Sequence, residues 1–368
     1  MKIGILTHYY NSFNYGGNLQ AYALVTSLIE SGYDAEQICY QRTNDFIFGH
    51  NPTPTIKCVQ LAKKIINTVR KRNIYKRERC IIGFNRNTIV HSDKIFTKNE
   101  LDIIGNGYDV LIVGSDQVWH PQAVCDAYLL NFPSEAKRIA YAASFAVNEL
   151  DREVVDYYRP CLKRFKSISV RETTGSELLH KSLGIDANVV LDPVFLLARE
   201  RWEMVVENRE INEPYVLCYF LGAGADEREA ARTIANQNRL AIVNLPYLSG
   251  KNISDRGFGK YKLFDVTPGQ LLGLISNAAC VITDSFHASA FSILFHKPFV
   301  VFDRMTGNVR SGMESRIDTL LNTFRLQNCK GDIFNPSGMP TDCDWDKVET
   351  ILAQKRKESM DFLVNALQ

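Results

Sequence analysis

Short apolar runs alternate with amphipathic stretches along most of the 368-residue chain. The first run, KIGILT at 2–7, reads as a strand and passes into a polar loop over 8–18. A helix is predicted from Leu19, with Ala21, Leu24, Val25 and Leu28 on one face and Gly32 as its stop. Further strands are predicted at 109–113, 138–143, 167–170 and 189–191. The pattern restarts with a strand at 215–221, a helix at 226–238, a strand at 240–245 and a helix opening at Thr267-Pro268. Val281 and Ile282 close another apolar run. Thr283, Asp284 and Ser285 are all helix-capping types, and Ala288, Phe291, Leu294 and Phe295 follow at spacings of three and four. Pro298 stops that helix, and 299–302 reads as the next buried strand. Apolar-faced helices are expected at 317–321 and 344–367. The stretch 43–100 shows no clear strand–helix rhythm, although 57–87 within it is basic and amphipathic.

Two such series, joined near 193–213, predict an α/β protein of two Rossmann-like doubly wound domains facing across a cleft. The expected bounds are an N-terminal domain at 1–195, a C-terminal domain at 196–345, and a C-terminal helix at 346–368 that packs back on the first domain. The length suits two cores of ordinary size.

Composition narrows the classes. Hydrophobic residues make up 45% and charged residues 23%, as in a globular protein. The net charge of +2 makes no electrostatic case for nucleic acid. The opening residues read as a first strand rather than a leader peptide, and no apolar run is long enough for a bilayer. Nine cysteines without a CxxC pair read as reduced thiols of a cytoplasmic protein, and no metal-ligand spacing appears. The basic run, including Lys63, Lys64, Arg70 and Arg77, reads as a solvated helix face. It also fits peripheral contact with the inner face of an anionic membrane.

His287 falls in the first turn of a helix that leaves the carboxyl end of a strand. Open α/β sheets bind ligands there. Free N–H groups favour an anion, and an imidazole can exchange a proton at neutral pH. The loop NYGGN at 14–18 lets backbone approach a ligand through Gly16 and Gly17, or is simply a tight turn; it is not the dinucleotide fingerprint. GSDQVWH at 114–120, with Ser115 and Trp119, follows a strand and suits a hydroxyl-rich ligand. Arg171, also at a strand end, reads as a clamp for a carboxylate or phosphate, or as an ordinary ion pair.

The chain resembles the polysaccharide pyruvyltransferases. The motifs are NYGGNLQAYAL at 14–24, DVLIVGSDQVW at 109–119, ISVRE at 168–172, VVLDPVFLL at 189–197, VITDSFHASAFSILFHKPFVVF at 281–302 and SRIDTLL at 315–321. The resemblance implies a GT-B-like fold and transfer of a pyruvyl group from phosphoenolpyruvate to a sugar of a cell-surface glycan or its lipid-linked precursor. It implies no cofactor beyond that co-substrate. Where family members commonly carry Arg two residues before the motif His, this chain has Ser285, and the usual glycine after the His is Ala288. On this reading His287 is the proton donor, and His287 or Asp116 takes the acceptor's proton. Arg171 and Arg316 hold the donor anions, Arg310 replaces the missing Arg, and Asp284 and Ser285 bind the substrate. Asn18, Gly16 and Gly17 bind donor or acceptor, and Trp119 stacks on the sugar. Two rival readings stand: a glycosyltransferase using a nucleotide-sugar, and a glycan-binding relative without activity. Oligomeric state is open.

Overall fold

The computed structural model of the chain describes residues 1–42, 45–48, 62–248, 254–306, 309–310, 314–336 and 338–368, without the side chains of 62–70, 305–306 and 309–310. Two compact units account for the chain. The first comprises Met1–Thr53, Asn85–Leu197 and Leu352–Gln368; the second comprises Pro54–Phe84 and Ala198–Ile351.

The first unit is built on strands β1 (Lys2–Leu6), β2 (Asp34–Tyr40), β3 (His91–Phe96), β4 (Val110–Val113), β5 (Lys137–Ala143), β6 (Ser167–Val170) and β7 (Asn188–Val189). They form one sheet in the order β3-β2-β1-β4-β5-β6-β7, every pairing parallel. The second unit carries β8 (Tyr215–Tyr219), β9 (Ala241–Leu245), β10 (Tyr261–Lys262), β11 (Cys280–Thr283) and β12 (Phe299–Val301), ordered β10-β9-β8-β11-β12 and again parallel. A short antiparallel pair follows, β13 (Met305–Thr306) with β14 (Val309–Arg310). The helices, in chain order, are α1 (Tyr15–Glu30), α2 (Ala62–Thr88), α3 (Leu101–Gly107), α4 (Arg152–Leu162), α5 (Thr173–Leu178), α6 (Arg199–Glu203), α7 (Asp226–Gln237), α8 (Pro268–Asn277), α9 (Phe286–Leu294), α10 (Glu314–Phe324) and α11 (Trp345–Leu367).

Both sheets reverse direction once. In the first unit the reversal falls between β1 and β4; in the second it falls between β8 and β11. Loops leaving the carboxyl ends of those strand pairs bound the crevices where open α/β sheets take ligands. β4, β8 and β11 are buried along their whole length. Strands covered by helices on both faces read as continuous apolar runs, which is why their positions were visible in the sequence.

Several expectations need correction. Residues 54–84, placed with the N-terminal domain by their position in the chain, belong to the second unit. The basic stretch forms α2, but Arg77 on it is buried, so this helix is not a uniformly solvated face; the side chains of Lys63, Lys64 and Arg70 lie outside the described residues. Five strands, β2, β3, β10, β13 and β14, arise where no strand was expected. β3 (HSDKIF) is too polar to announce itself, because only Ser92 and Phe96 face inward.

α1 begins at Tyr15, four residues earlier than the apolar spacing suggests. Asn14 caps it, its Oδ1 accepting from the Gly16 N–H at 3.1 Å. Gly16 and Gly17 therefore lie in a helical first turn rather than in a loop. A Cβ on Gly17 would come within 2.8 Å of the His8 carbonyl oxygen, so the β1–α1 loop closes over this turn only because the side chain is missing. The C-terminal segment of α11 packs within the first unit. Its Arg356 donates to the Phe195 carbonyl at 2.6 Å, its Ser359 hydroxyl accepts from Leu191 N–H at 3.0 Å, and Lys137 donates to the Leu367 carbonyl at 2.7 Å.

Candidate functional site

In the second unit, β11 ends at Thr283 and Ser285 caps α9, its hydroxyl accepting from Ala288 N–H at 3.4 Å. The Ser285 N–H in turn donates to the Thr283 hydroxyl at 3.0 Å. His287 thus stands in the first turn of α9, 8% exposed, its ring edge-on to Phe286 at 5.2 Å. Asp284 ties the crevice together: Oδ1 accepts from the Leu221 N–H at 2.6 Å, just beyond β8, and Oδ2 accepts from Arg304 Nε at 3.2 Å. Arg304 also donates Nη2 to the Asp284 carbonyl at 3.1 Å. Arg316, on the first turn of α10, lines one small pocket together with Asp284, Phe286, Asp303, Arg304 and Glu314. Asp303 is held by Lys330 at 3.1 Å. The arrangement presents a helix N-terminus, an imidazole and two guanidinium groups at one sheet end, a combination suited to an anion that exchanges a proton.

The cap is local and testable. Ser285→Ala removes the acceptor from the α9 N-terminus and is expected to lower the stability of the chain by about 1 kcal/mol in urea unfolding.

In the first unit, Ser115, Asp116 and Arg171 do come together, but around Asp192. The Arg171 guanidinium, 1% exposed, pairs with Asp192 at 2.6 Å and Asp116 at 3.4 Å. Ser115 donates its hydroxyl to the same Asp192 oxygen at 3.1 Å and its N–H to Gln20 at 3.1 Å. Asp192, read in the sequence only within the motif at 189–197, accepts from both Arg171 and Ser115. Arg171 therefore anchors the carboxyl ends of β4 and β6 instead of offering its charge to a donor, and Asp116, engaged by that guanidinium, is poorly placed as a base. Asn18 is also committed within the fold: its amide donates to the carbonyls of Ser12 at 3.0 Å and Asn14 at 2.7 Å, while its oxygen accepts from Asn85.

Trp119 does not stack on a ligand. It is 0% exposed, packed against Phe145 and Phe165, and its indole N–H donates to the Tyr128 carbonyl at 3.0 Å. A sugar cannot reach a ring sealed into the core. Arg310 lies on β14, and its side chain is outside the described residues.

Two groups escaped the sequence reading. Arg304, three residues beyond β12, is 17% exposed and pairs with Asp284. Its signal was positional: like the motif His, it follows the carboxyl end of a strand of the second sheet. The second group is a pocket of about 460 Å³ in the first unit, lined among others by His8, Ser12, Gln41, Arg42, Phe46 and Tyr128. These residues follow β1 and β2, apart from Tyr128. Arg42 lies 3.4 Å from His8 Nε2 and stacks over Phe46 at 4.4 Å. Removal from water, and then the charge of Arg42, push the His8 imidazole down to about 4. His8 is therefore neutral at pH 7. Exposed Phe13 and Phe46 give the pocket an aromatic wall, and Ser12, Gln41 and Arg42 give it hydrogen-bonding groups.

Among the described residues no group of three or more His, Cys, Asp or Glu side chains is placed to hold a metal ion. No helix there is long and apolar enough to cross a membrane. No curated protein matches the chain. Among solved structures, one described as a candidate UDP-N-acetylglucosamine 2-epimerase from Listeria monocytogenes is 12% identical, with a TM-score of 0.50, covering 97% of this chain and 96% of its own. The UDP-GlcNAc 2-epimerase of Methanocaldococcus jannaschii is 12% identical with a TM-score of 0.46, covering 96% and 99%. The first likeness, spanning both units, shows the fold alone: α/β, with two Rossmann-like units, GT-B-like in kind. The family described as polysaccharide pyruvyl transferase matches residues 14–304, a span that runs from the cap of α1 through His287 to Arg304. With that span covering most of the chain and both sheet reversals, the protein belongs to the polysaccharide pyruvyl transferase family.

Proposed function

We propose that the chain transfers the pyruvyl group of phosphoenolpyruvate to a pair of hydroxyls on a sugar of a cell-surface polysaccharide or its lipid-linked precursor. The observation that carries this reading is the small pocket that Arg304 and Arg316 line with Asp284 and Phe286 at the amino end of α9, the helix whose first turn carries His287, within a chain of this family.

The chemistry asks for those groups. Phosphoenolpyruvate brings a phosphate and a carboxylate, which the α9 N–H groups, Arg304 and Arg316 match in charge. His287 donates a proton to the enol methylene as positive charge develops on the neighbouring carbon. One acceptor hydroxyl attacks that carbon and gives up its proton to the imidazole. Phosphate then leaves with the C–O bond pair, and the second hydroxyl closes the ketal as its proton passes to the departing phosphate. Proton uptake and release balance on one side chain, so Asp116 is not needed as a base. The acceptor sugar is assigned to the pocket of the first unit, where an aromatic wall and amide groups suit a pyranose.

Thermal-shift titration of phosphoenolpyruvate against UDP-sugars tests the donor. Stabilisation by sugar nucleotides alone would overturn the assignment. Sugar binding without consumption of phosphoenolpyruvate would leave a glycan-binding relative. Arg304→Ala is expected to raise the Kd for phosphoenolpyruvate by about tenfold, the loss of one charge-assisted contact, as read by calorimetry.

A further inference from the structure

We propose that the Glu227 carboxyl donates a hydrogen bond to the phosphate of the ligand bound at the β8–β11 reversal of the second unit. The inference rests on the donor reading above and names a contact that reading does not use.

Three acidic residues open α7: Asp226, Glu227 and Glu229. Asp226 and Glu229 are exposed and serve the helix dipole from water. Glu227 differs, because its side chain is only 2% exposed. Its carboxyl folds back over the turn that leaves β8, so closely that a Cβ on Gly224 would fall 1.9 Å from Oε2. That turn is also tied to the site: Leu221 N–H donates to Asp284 Oδ1, one residue before the α9 cap. Glu227 Oε1 meets no hydrogen-bond partner among the described residues. A buried carboxyl oxygen left without a partner is costly, and a ligand group is a natural one to complete it.

The charges around it favour a proton on that carboxyl. Burial raises its pKa, and the Asp284 carboxylate raises it further; Asp226 adds to this, while Arg228 and the backbone N–H of Glu227 itself oppose it. Arg228 is engaged elsewhere, donating to Asp255 at 2.8 Å and to the Gly224 carbonyl at 2.7 Å. Arg304 faces Asp284 rather than Glu227. A neutral carboxyl is a donor and accepts an anion beside it; an ionised one would repel it.

The sign follows. The contact is present below the folded pKa of Glu227 and is lost as pH rises through it. Glu227→Gln keeps a donor at every pH, whereas Glu227→Ala has none. Calorimetry with phosphoenolpyruvate between pH 5.5 and 8.5, with the Tm of each variant confirming the fold, is the test. The wild-type Kd divided by that of Glu227→Gln is expected to rise with pH, by up to about tenfold for each pH unit above the folded pKa of Glu227. Glu227→Ala is expected to bind about tenfold more weakly than wild type at pH 5.5. Parallel wild-type and Gln profiles, or an Ala variant as tight as wild type, would overturn the contact and leave the donor reading intact. The same series with inorganic phosphate and UDP separates the two ideas. If either shows the pattern while phosphoenolpyruvate does not bind, the contact stands and the donor reading falls. If none of the three binds the wild type, both fall.

Discussion

His287→Ala is expected to cut turnover by at least ~100-fold, the usual loss when a positioned proton carrier is removed. The argument is geometric. α9 is buried along its length, and Ser285 fixes its first turn, so the imidazole is held in place by the helix and not by a mobile loop. The donor's anions are assigned to Arg304, Arg316 and the helix N–H groups. Binding should therefore survive the substitution, and the loss should fall on kcat with KM for phosphoenolpyruvate nearly unchanged. Steady-state release of phosphate measures it. Wild-type turnover in the Ala variant, with the true substrates, would remove His287 from the mechanism.

Arg171→Ala should damage stability rather than chemistry. Removing the guanidinium leaves Asp192 and Asp116 as buried carboxylates without their cation, and breaking such a pair costs about 3–5 kcal/mol. Asp192 would lose its guanidinium partner while the Ser115 hydroxyl and the Val194 N–H, at 3.1 Å each, stay in place. Urea unfolding of the variant should show a midpoint shifted far below that of the wild type. The fraction that folds should bind phosphoenolpyruvate with the wild-type isotherm. A stable variant with lost donor binding would restore Arg171 to the donor site and refute the anchoring role.

These two residues show the two sides of reading this chain. His287 was legible because everything that places it is local. The apolar run of β11, the capping residues and the helical spacing of α9 lie within a few positions of one another, and each obeys a rule of short range. The buried strands β1, β4, β8, β11 and β12 were legible for the same reason, since strands buried on both faces are written as uninterrupted apolar runs. Arg171 was legible as a residue at a strand end, but its partners stand 21 and 55 positions away. Nothing nearby distinguishes a guanidinium that will meet a ligand from one that will meet Asp192.

The same limit explains the rest. Trp119 in a polar-looking motif resembles a sugar platform until Phe145 and Phe165 close over it. Asn18 resembles a ligand contact until Ser12, Asn14 and Asn85 use its amide. Arg304 carries no local mark of a site residue beyond its place after a strand, yet it donates to Asp284, one residue before the cap of α9. Alternation of apolar and polar residues carries the class of fold, the two series of strands and helices, and the turn on which His287 stands, because those depend on backbone periods and neighbours in sequence. Which polar side chains remain available to a ligand depends on pairings across tens of residues. Burial makes each such pairing an all-or-none commitment, so only the folded chain shows Arg171 paired with Asp192 and Arg304 paired with Asp284 beside the amino end of α9.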